Sequence, residues 1–232
     1  ETALDYLNYK NHLPNNQHLI CFLNGTYDIK LGQLKEHRKD DYLFSQIPYN
    51  YDPDDCNPQQ FLAFLEGAIG TEQIKYVQAF IQTLLDRTAP YGKFLHLIGE
   101  SRCGKGTLLT LMGSLLNQKN VSSDIGLNLL NNPDKRHQYL LNKRFCYQTD
   151  MQGYFAGVQG FYSLVQNEAL SGRKLHSSDT YTQKWDCRFA IASTDHLQIE
   201  NSGAGWSRRV IPIEFNPRQG GKDLYLDSKL AE

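Results

Sequence analysis

Hydrophobic positions along the chain change spacing twice, and each change marks a predicted boundary. Over residues 1–57 the apolar runs are short and separated by turn formers. "NHLPNNQ" is polar, "LICFLNG" is an apolar run closed by Asn24-Gly25, and "TYDIK" and "GQLKEH" read as short strands around Leu31-Gly32. Together they predict hairpins, a β-rich leader ended by the Pro and Asp cluster of "YNYDPDD". From Pro58 to Pro90 the apolar period becomes helical in "PQQFLAFLEGAIG" and "EQIKYVQAFIQTLLDRT", predicting two helices parted by Gly70 and a small helical subdomain. Residues 91–217 then alternate. "KFLHLIG" reads as a buried strand, "ESRCGKG" as a loop, and "TLLTLMGSLLNQ" as a helix with Leu108, Leu111, Leu115 and Leu116 inside. "KRFCYQTD" predicts a second strand, "VQGFYSLVQNEALSG" a helix ended by Gly172, "DCRFAIAST" a third strand and "RRVIPIEF" a fourth. Strands alternating with helices predict an α/β core around a parallel sheet. Residues 218–232, ending in "DLYLDSKLAE", read as the start of a helix cut short.

Composition narrows the classes. Of the 232 residues 40% are hydrophobic and 21% charged, which is ordinary for a globular protein, and no apolar run is long enough for a membrane span. The five cysteines, Cys21, Cys56, Cys103, Cys146 and Cys187, are odd in number and contain no CxxC pair. That spacing argues against a zinc site or a disulfide framework and fits a reducing cytoplasm. With a net charge of −1, a nucleic-acid partner requires local basic patches rather than overall charge. The chain begins at Glu1 without a methionine or a secretory signal, as expected of a piece of a longer polypeptide.

The candidate chemistry centres on "GESRCGKGTL", Gly99 to Leu108, which has the Gly-x-x-x-x-Gly-Lys spacing of a phosphate-binding loop between an apolar strand and an apolar helix. Gly99 and Gly104 permit the tight turn, and the amides of Glu100, Ser101, Arg102, Cys103, Gly104, Lys105, Gly106, Thr107 and Leu108 are the candidate cradle for an anion at the helix start. Lys105 supplies a mobile positive charge to the phosphates of ATP. The hydroxyl that ligates Mg²⁺ in the usual loop follows the lysine directly. Here Gly106 stands in that place and the hydroxyl comes one residue later, at Thr107.

Four further features lie downstream. Asp150, after the apolar Phe145, Cys146 and Tyr147, is a candidate to hold Mg²⁺ or orient water; the competing reading is a local cap. Ser193, Thr194 and Asp195 end a buried strand, either as sensors of a γ-phosphate or as a simple turn. Arg208 and Arg209 precede a buried strand, either to clamp a transferring phosphoryl group or as a solvated approach to the strand. "GRKLHSSDTYTQKW" interleaves Arg173, Lys174, His176, Tyr181, Lys184 and Trp185, a pattern suited to a single strand of DNA but equally to a solvated hairpin. "DKRHQYLLNKR" reads as a solvated basic helix face.

These passages in this order resemble the superfamily 3, AAA+ type helicase domain of phage and plasmid primase–helicase proteins. The leader "FLNGTYDIKLGQLKEHRKDDYLFSQIPYNYDPDD", the loop "GESRCGKGT", the segment "LSGRKLHSSDTYTQKWDCRFAIASTDHL" and the motif "SGAGWSRRVIPIEF" carry the resemblance from about Phe22 to Phe215. It implies an ATP-dependent DNA helicase acting in phage or plasmid replication, with single-stranded or forked DNA in the channel of a ring of identical subunits, hexameric in the family. By the same resemblance Lys105 and Asp150 of one subunit face Arg208 or Arg209 of the next, Thr107 and Asp150 serve the metal, and Lys174 and His176 touch DNA phosphates from a hairpin. A primase region would lie elsewhere in a longer chain. The sequence departs from the family at Cys103 and at Asp195 or Thr194, where Asn is common, and at Asp150, where Glu is common. Two alternatives remain open: a nucleotide-binding module that assembles on DNA with little hydrolysis, and a nucleoside monophosphate kinase, whose loop also reads Gly-Lys-Gly-Thr but sits near the N-terminus.

Overall fold

The computed structural model describes residues 16–54, 57–199 and 203–217. The reading of residues 218–232 as a helix start, and part of the leader, lie outside these residues. Leu19–Phe22 (β1), Gly25–Asp28 (β2) and Gln33–Lys35 (β3) form an antiparallel sheet in the order β1-β2-β3, with Phe22 opposite Gly25 across the Leu23-Asn24 turn. Helices Gln59–Ile69 (α1) and Thr71–Leu85 (α2) follow, broken at Gly70, whose φ of 73° the helix cannot continue through.

The core then runs through Phe94–Ile98 (β4), Lys105–Ser114 (α3), Val121–Ser123 (β5), Pro133–Leu140 (α4), Phe145–Gln148 (β6), Tyr154–Phe155 (β7), Val158–Val165 (α5), Ala169–Arg173 (β8), Thr180–Lys184 (β9), Arg188–Ser193 (β10), Gln198–Ile199 (β11), Ala204–Arg209 (α6) and Val210–Glu214 (β12). Five strands make one parallel sheet in the order β12-β4-β10-β6-β5. This is the α/β architecture with a central parallel sheet that was expected, with β10 inserted between the strand that leads into the phosphate loop and the strand that leads to Asp150.

A parallel sheet is covered on both faces, so its central strands are largely apolar and alternate between two cores. Leu95 and Leu97 of β4, Phe145 and Tyr147 of β6 and Ala190 and Ala192 of β10 meet α1, α2 and α3 on one face. Phe94, Cys146, Phe189 and Ile191 meet α5 and the segments around it on the other. Burial of one such Phe or Leu contributes about 2 kcal/mol. Helices α1 and α2 share the first core through Leu65, Ile69, Val77, Phe80 and Leu84, all buried.

Several local expectations are corrected. The segment expected to be helical up to Gly172 leaves the helix after Val165, and Ala169–Arg173 becomes β8, paired with β9 so that Gly172 lies opposite Tyr181. An added Cβ at Gly172 would lie 2.7 Å from the Trp185 ring, so glycine is needed for that close crossing. The phosphate-loop helix begins at Lys105 and buries Leu108, Leu109 and Met112 along its length. The two arginines stand in a short helix, α6, instead of an extended approach to β12. The basic run around α4 is not a solvated face, since Arg136 and Arg144 are buried. Arg144 donates to the carbonyls of Thr83 (2.7 Å), Leu84 (3.0 Å) and Asp86 (3.1 Å) at the C-terminal end of α2, and to Asp186 at 2.6 Å. It caps the helix with a charge of the favourable sign.

Candidate nucleotide site

The phosphate loop leaves the C-terminal end of β4 and turns into α3. An added Cβ at Gly99 would lie 2.8 Å from Phe215 Cβ, so only glycine lets the loop pass under the chain that follows β12. Gly104 has a φ of 107°, and Arg102 sits at 67°. The first helical bond of α3 runs from Leu108 N to Gly104 O at 3.0 Å. The amides just before Leu108 thus have no helical carbonyl to bond, the arrangement that favours an anion. Lys105 is buried, and its ammonium donates to the carbonyls of Gly99 (2.6 Å) and Glu100 (2.7 Å), with Cys103 Sγ at 3.6 Å. The charge therefore sits inside the loop. Cys103 is buried beside it, whereas Glu100, Ser101 and Arg102 are exposed. Thr107 is half-buried on the first turn of α3.

The neighbouring strand ends face the same edge of the sheet. Gly99 N donates to Ser193 O at 3.2 Å, tying the loop to the end of β10. Ser193 is buried; its hydroxyl donates to Asp195 O at 2.6 Å and accepts from His96 Nε2 at 2.7 Å. A hydroxyl has one proton, so His96 must carry its own on Nε2. Burial, then the charge of nearby His196, pushes the His96 pKa down to about 4. His96 is a site-supporting residue that the sequence reading missed. Its signal was a lone polar residue in the apolar run "FLHLI". The side chains of Thr194 and Asp195 are exposed.

Asp150 lies two residues beyond β6, which is two strands from β4, or about 10 Å across the sheet. It is exposed and accepts from Gln152 Nε2 at 3.0 Å. A second carboxylate, Asp124, also unexpected, accepts from the amide of Thr149 (3.2 Å) and from the Thr149 hydroxyl. Phosphate loop, Ser193–Asp195 and Asp150 thus share the C-terminal edge of one sheet.

The arginines do not. Val210 pairs with Phe94 at the first residue of β4, while the loop follows Ile98 at its last. Four strand residues, about 13 Å, separate them along the sheet. Arg209 is buried, donates to Gly205 O at 2.9 Å and stacks on the Tyr162 ring with its guanidinium 4.5 Å from the centroid. Arg208 is exposed, with its carbonyl held by Lys93 Nζ at 2.6 Å.

The β8–β9 hairpin divides its candidates in the same way. Trp185 is buried and donates Nε1 to Leu170 O at 3.1 Å, and Tyr181 packs beside the core, so these aromatics are structural. Arg173 is engaged by Asp134, its Nε and Nη2 at 2.5 and 2.7 Å from the two carboxylate oxygens. Hydrogen bonding to Arg173, above all, holds the Asp134 carboxyl below its ordinary range. Lys174, Leu175 and His176 are exposed at the tip, and Lys184 is exposed at the far end of β9.

Amides at a helix start, glycines and one buried ammonium are the groups that a phosphate-bearing ligand would use here. For Mg²⁺ the candidate donors among the described residues are the Thr107 hydroxyl and the Asp150 carboxylate, with Asp124 beside Thr149. Among the described residues no group of three or more His, Cys, Asp or Glu could hold a metal. Oxygen donors of this kind would suit Mg²⁺.

Comparison with known proteins follows this geometry. A family model described as "D5 N terminal like" matches residues 8–69, the leader and α1. No curated protein matches the chain. Among solved structures, the apo structure of the NrS-1 C terminal region superposes with a TM-score of 0.61 at 18% identity. Its A form superposes with a TM-score of 0.60 at 19% identity. Each match covers 78% of this chain, and the chain spans 44% of the length of those structures. At that identity, what this chain has in common with the NrS-1 C terminal region is its fold.

Proposed function

We propose that this chain is the ATP-driven, DNA-acting module of a phage or plasmid replication protein and works as a ring of identical subunits. The observation that carries the reading is the separation of its charged parts. Lys105 and Asp150 stand at one edge of the sheet and exposed Arg208 stands at the other. Arg208 can therefore complete a phosphate site only on a second copy, and a head-to-tail interface repeated around a closed ring brings the two together. The match of residues 8–69 and the shared fold support the same assignment.

In this reading the loop amides and Lys105 bind the phosphates. Thr107 and Asp150 would hold Mg²⁺, which would neutralise charge on the phosphates. Asp150 also orients the attacking water. Thr194 and Asp195 lie where the γ-phosphate would be sensed. Arg208 of the neighbouring subunit stabilises the transferring phosphoryl group, a contribution of about 10³ to 10⁵ in rate for such residues. Arg209 instead anchors α6. Lys174 and His176 contact the DNA backbone from the hairpin tip.

A second reading, an assembly module that binds nucleotide with little hydrolysis, is favoured by Gly106 in place of the metal-binding hydroxyl and by a carboxylate at Asp195. ATP turnover measured with and without single-stranded DNA, beside the mass of the particle, separates the two. Multimers whose turnover rises with DNA and is lost in Lys105→Ala support the proposal. A particle that binds ATP but shows no turnover with DNA supports the second reading.

A further inference from the structure

Helix α4 grips the hairpin through three side chains. Asp134 holds Arg173, and His137 Nδ1 lies 2.6 Å from the Tyr181 hydroxyl. Between them, Arg136 donates Nε to Ser171 O at 2.6 Å and Nη2 to Ser171 Oγ at 3.0 Å, both on β8. Its Nη1 reaches the other way, to the carbonyls of Leu130 and Asn131, each at 2.9 Å. Those carbonyls end a short 3₁₀ helix, Leu127–Asn131.

None of these acceptors is a carboxylate, so the guanidinium of a residue only 6% exposed is held by neutral groups. Removing such a charge from water costs several kcal/mol, offset here by hydrogen bonds to four acceptors. What arginine alone supplies is a rigid fork of donors aimed in fixed directions. Here the fork joins β8 to the 3₁₀ helix.

The other end of that 3₁₀ helix is tied to the nucleotide edge. Leu127 N donates to Gln148 Oε1 at 3.2 Å, and Asp124, three residues earlier, holds Thr149 beside Asp150. The 3₁₀ helix has little slack, because an added Cβ at Gly157 or Gly160 of the α5 region would lie 2.3 Å from the Asn131 amide. Hydrogen bonds thus run without a gap from residues 148–150 through one short segment to Arg136.

We propose that Arg136 is a positioning residue that makes the β8–β9 hairpin follow the nucleotide edge of the sheet. The inference rests on the function proposed above. Its physical content is a contiguous set of bonds between two sites, which carries coupling only if the joint is intact.

Hydrogen exchange with a slowly hydrolysed ATP analogue and Mg²⁺ tests it. In the wild-type protein the analogue should slow exchange over residues 99–108 and alter exchange over residues 169–184. Arg136→Lys and Arg136→Met should keep the first response and lose the second. In the same variants DNA stimulation of ATP turnover should fall about fivefold or more, with basal turnover within about twofold of wild type. A hairpin that responds equally in both variants overturns the proposal. So does a wild-type hairpin that ignores the analogue while the loop is protected, an outcome that needs no variant and leaves the nucleotide site standing. If residues 99–108 are not protected in the wild type, the nucleotide site itself fails and the joint fails with it.

Discussion

An added Cβ at Gly106 meets nothing within 4 Å, so no packing constraint excludes a serine beside Lys105. Gly106→Ser should place a hydroxyl in the usual metal-binding position. It should lower the Mg²⁺ concentration that half-saturates ATP turnover, and a helical glycine replaced in this way gains a few tenths of a kcal/mol in stability. An unchanged Mg²⁺ dependence would show that Thr107 already fills the role. His96 gives a second prediction at this scale. Its folded pKa of about 4 lies below the ordinary 6.5. As pH falls through 6.5 the unfolded chain takes up a proton and the folded chain does not, so stability is complete above 6.5 and is lost towards 4. The full loss is on the order of 3 kcal/mol. Urea unfolding across that interval should show it, and His96→Gln should flatten the dependence. The position of the loop between β4 and α3 was legible in the sequence because its glycines and flanking apolar runs follow a fixed spacing. His96 and Asp124 were not, since each acts through a partner about one hundred or twenty-five positions away, Ser193 and Thr149.

Elements were legible where one period dominated. The largely apolar run of β4 and the helical spacing of α1 and α2 need no partner to be recognised. The errors fell where tertiary contacts decide. "NEALSG" continues a helical pattern, yet it becomes strand because β9 pairs with it and Trp185 crosses its glycine. "RR" before β12 reads as extended, yet Arg209 is drawn inward by the Tyr162 ring and ends a helix. The basic run around α4 looks solvated until the carbonyls that receive Arg136 and Arg144 are located, and those lie on other elements. Arg144 joins the end of α2 to Asp186, at the foot of the hairpin. Arg144→Met should therefore lower unfolding stability by about 3 kcal/mol, because it leaves Asp186 and three helix-end carbonyls without that donor. A change below about 0.5 kcal/mol in urea unfolding would mean that Arg87, 2.9 Å from Asp186, and solvent replace it.

At the scale of the whole molecule, one parallel sheet sets the distances that matter. Its C-terminal edge gathers the loop, the end of β10 and Asp150, and its opposite edge carries Arg208 on the short helix ahead of β12. Two variants with different defects test this division directly. Lys105→Ala and Arg208→Ala should each abolish ATP turnover alone. Mixed in equal amounts and allowed to assemble, they should recover activity, since roughly a quarter of head-to-tail interfaces then pair an intact Lys105 with an intact Arg208. Turnover in the mixture near that fraction of wild type is the result expected. No recovery from variants shown to co-assemble, or full turnover by Arg208→Ala alone, would contradict a site completed by the neighbouring subunit.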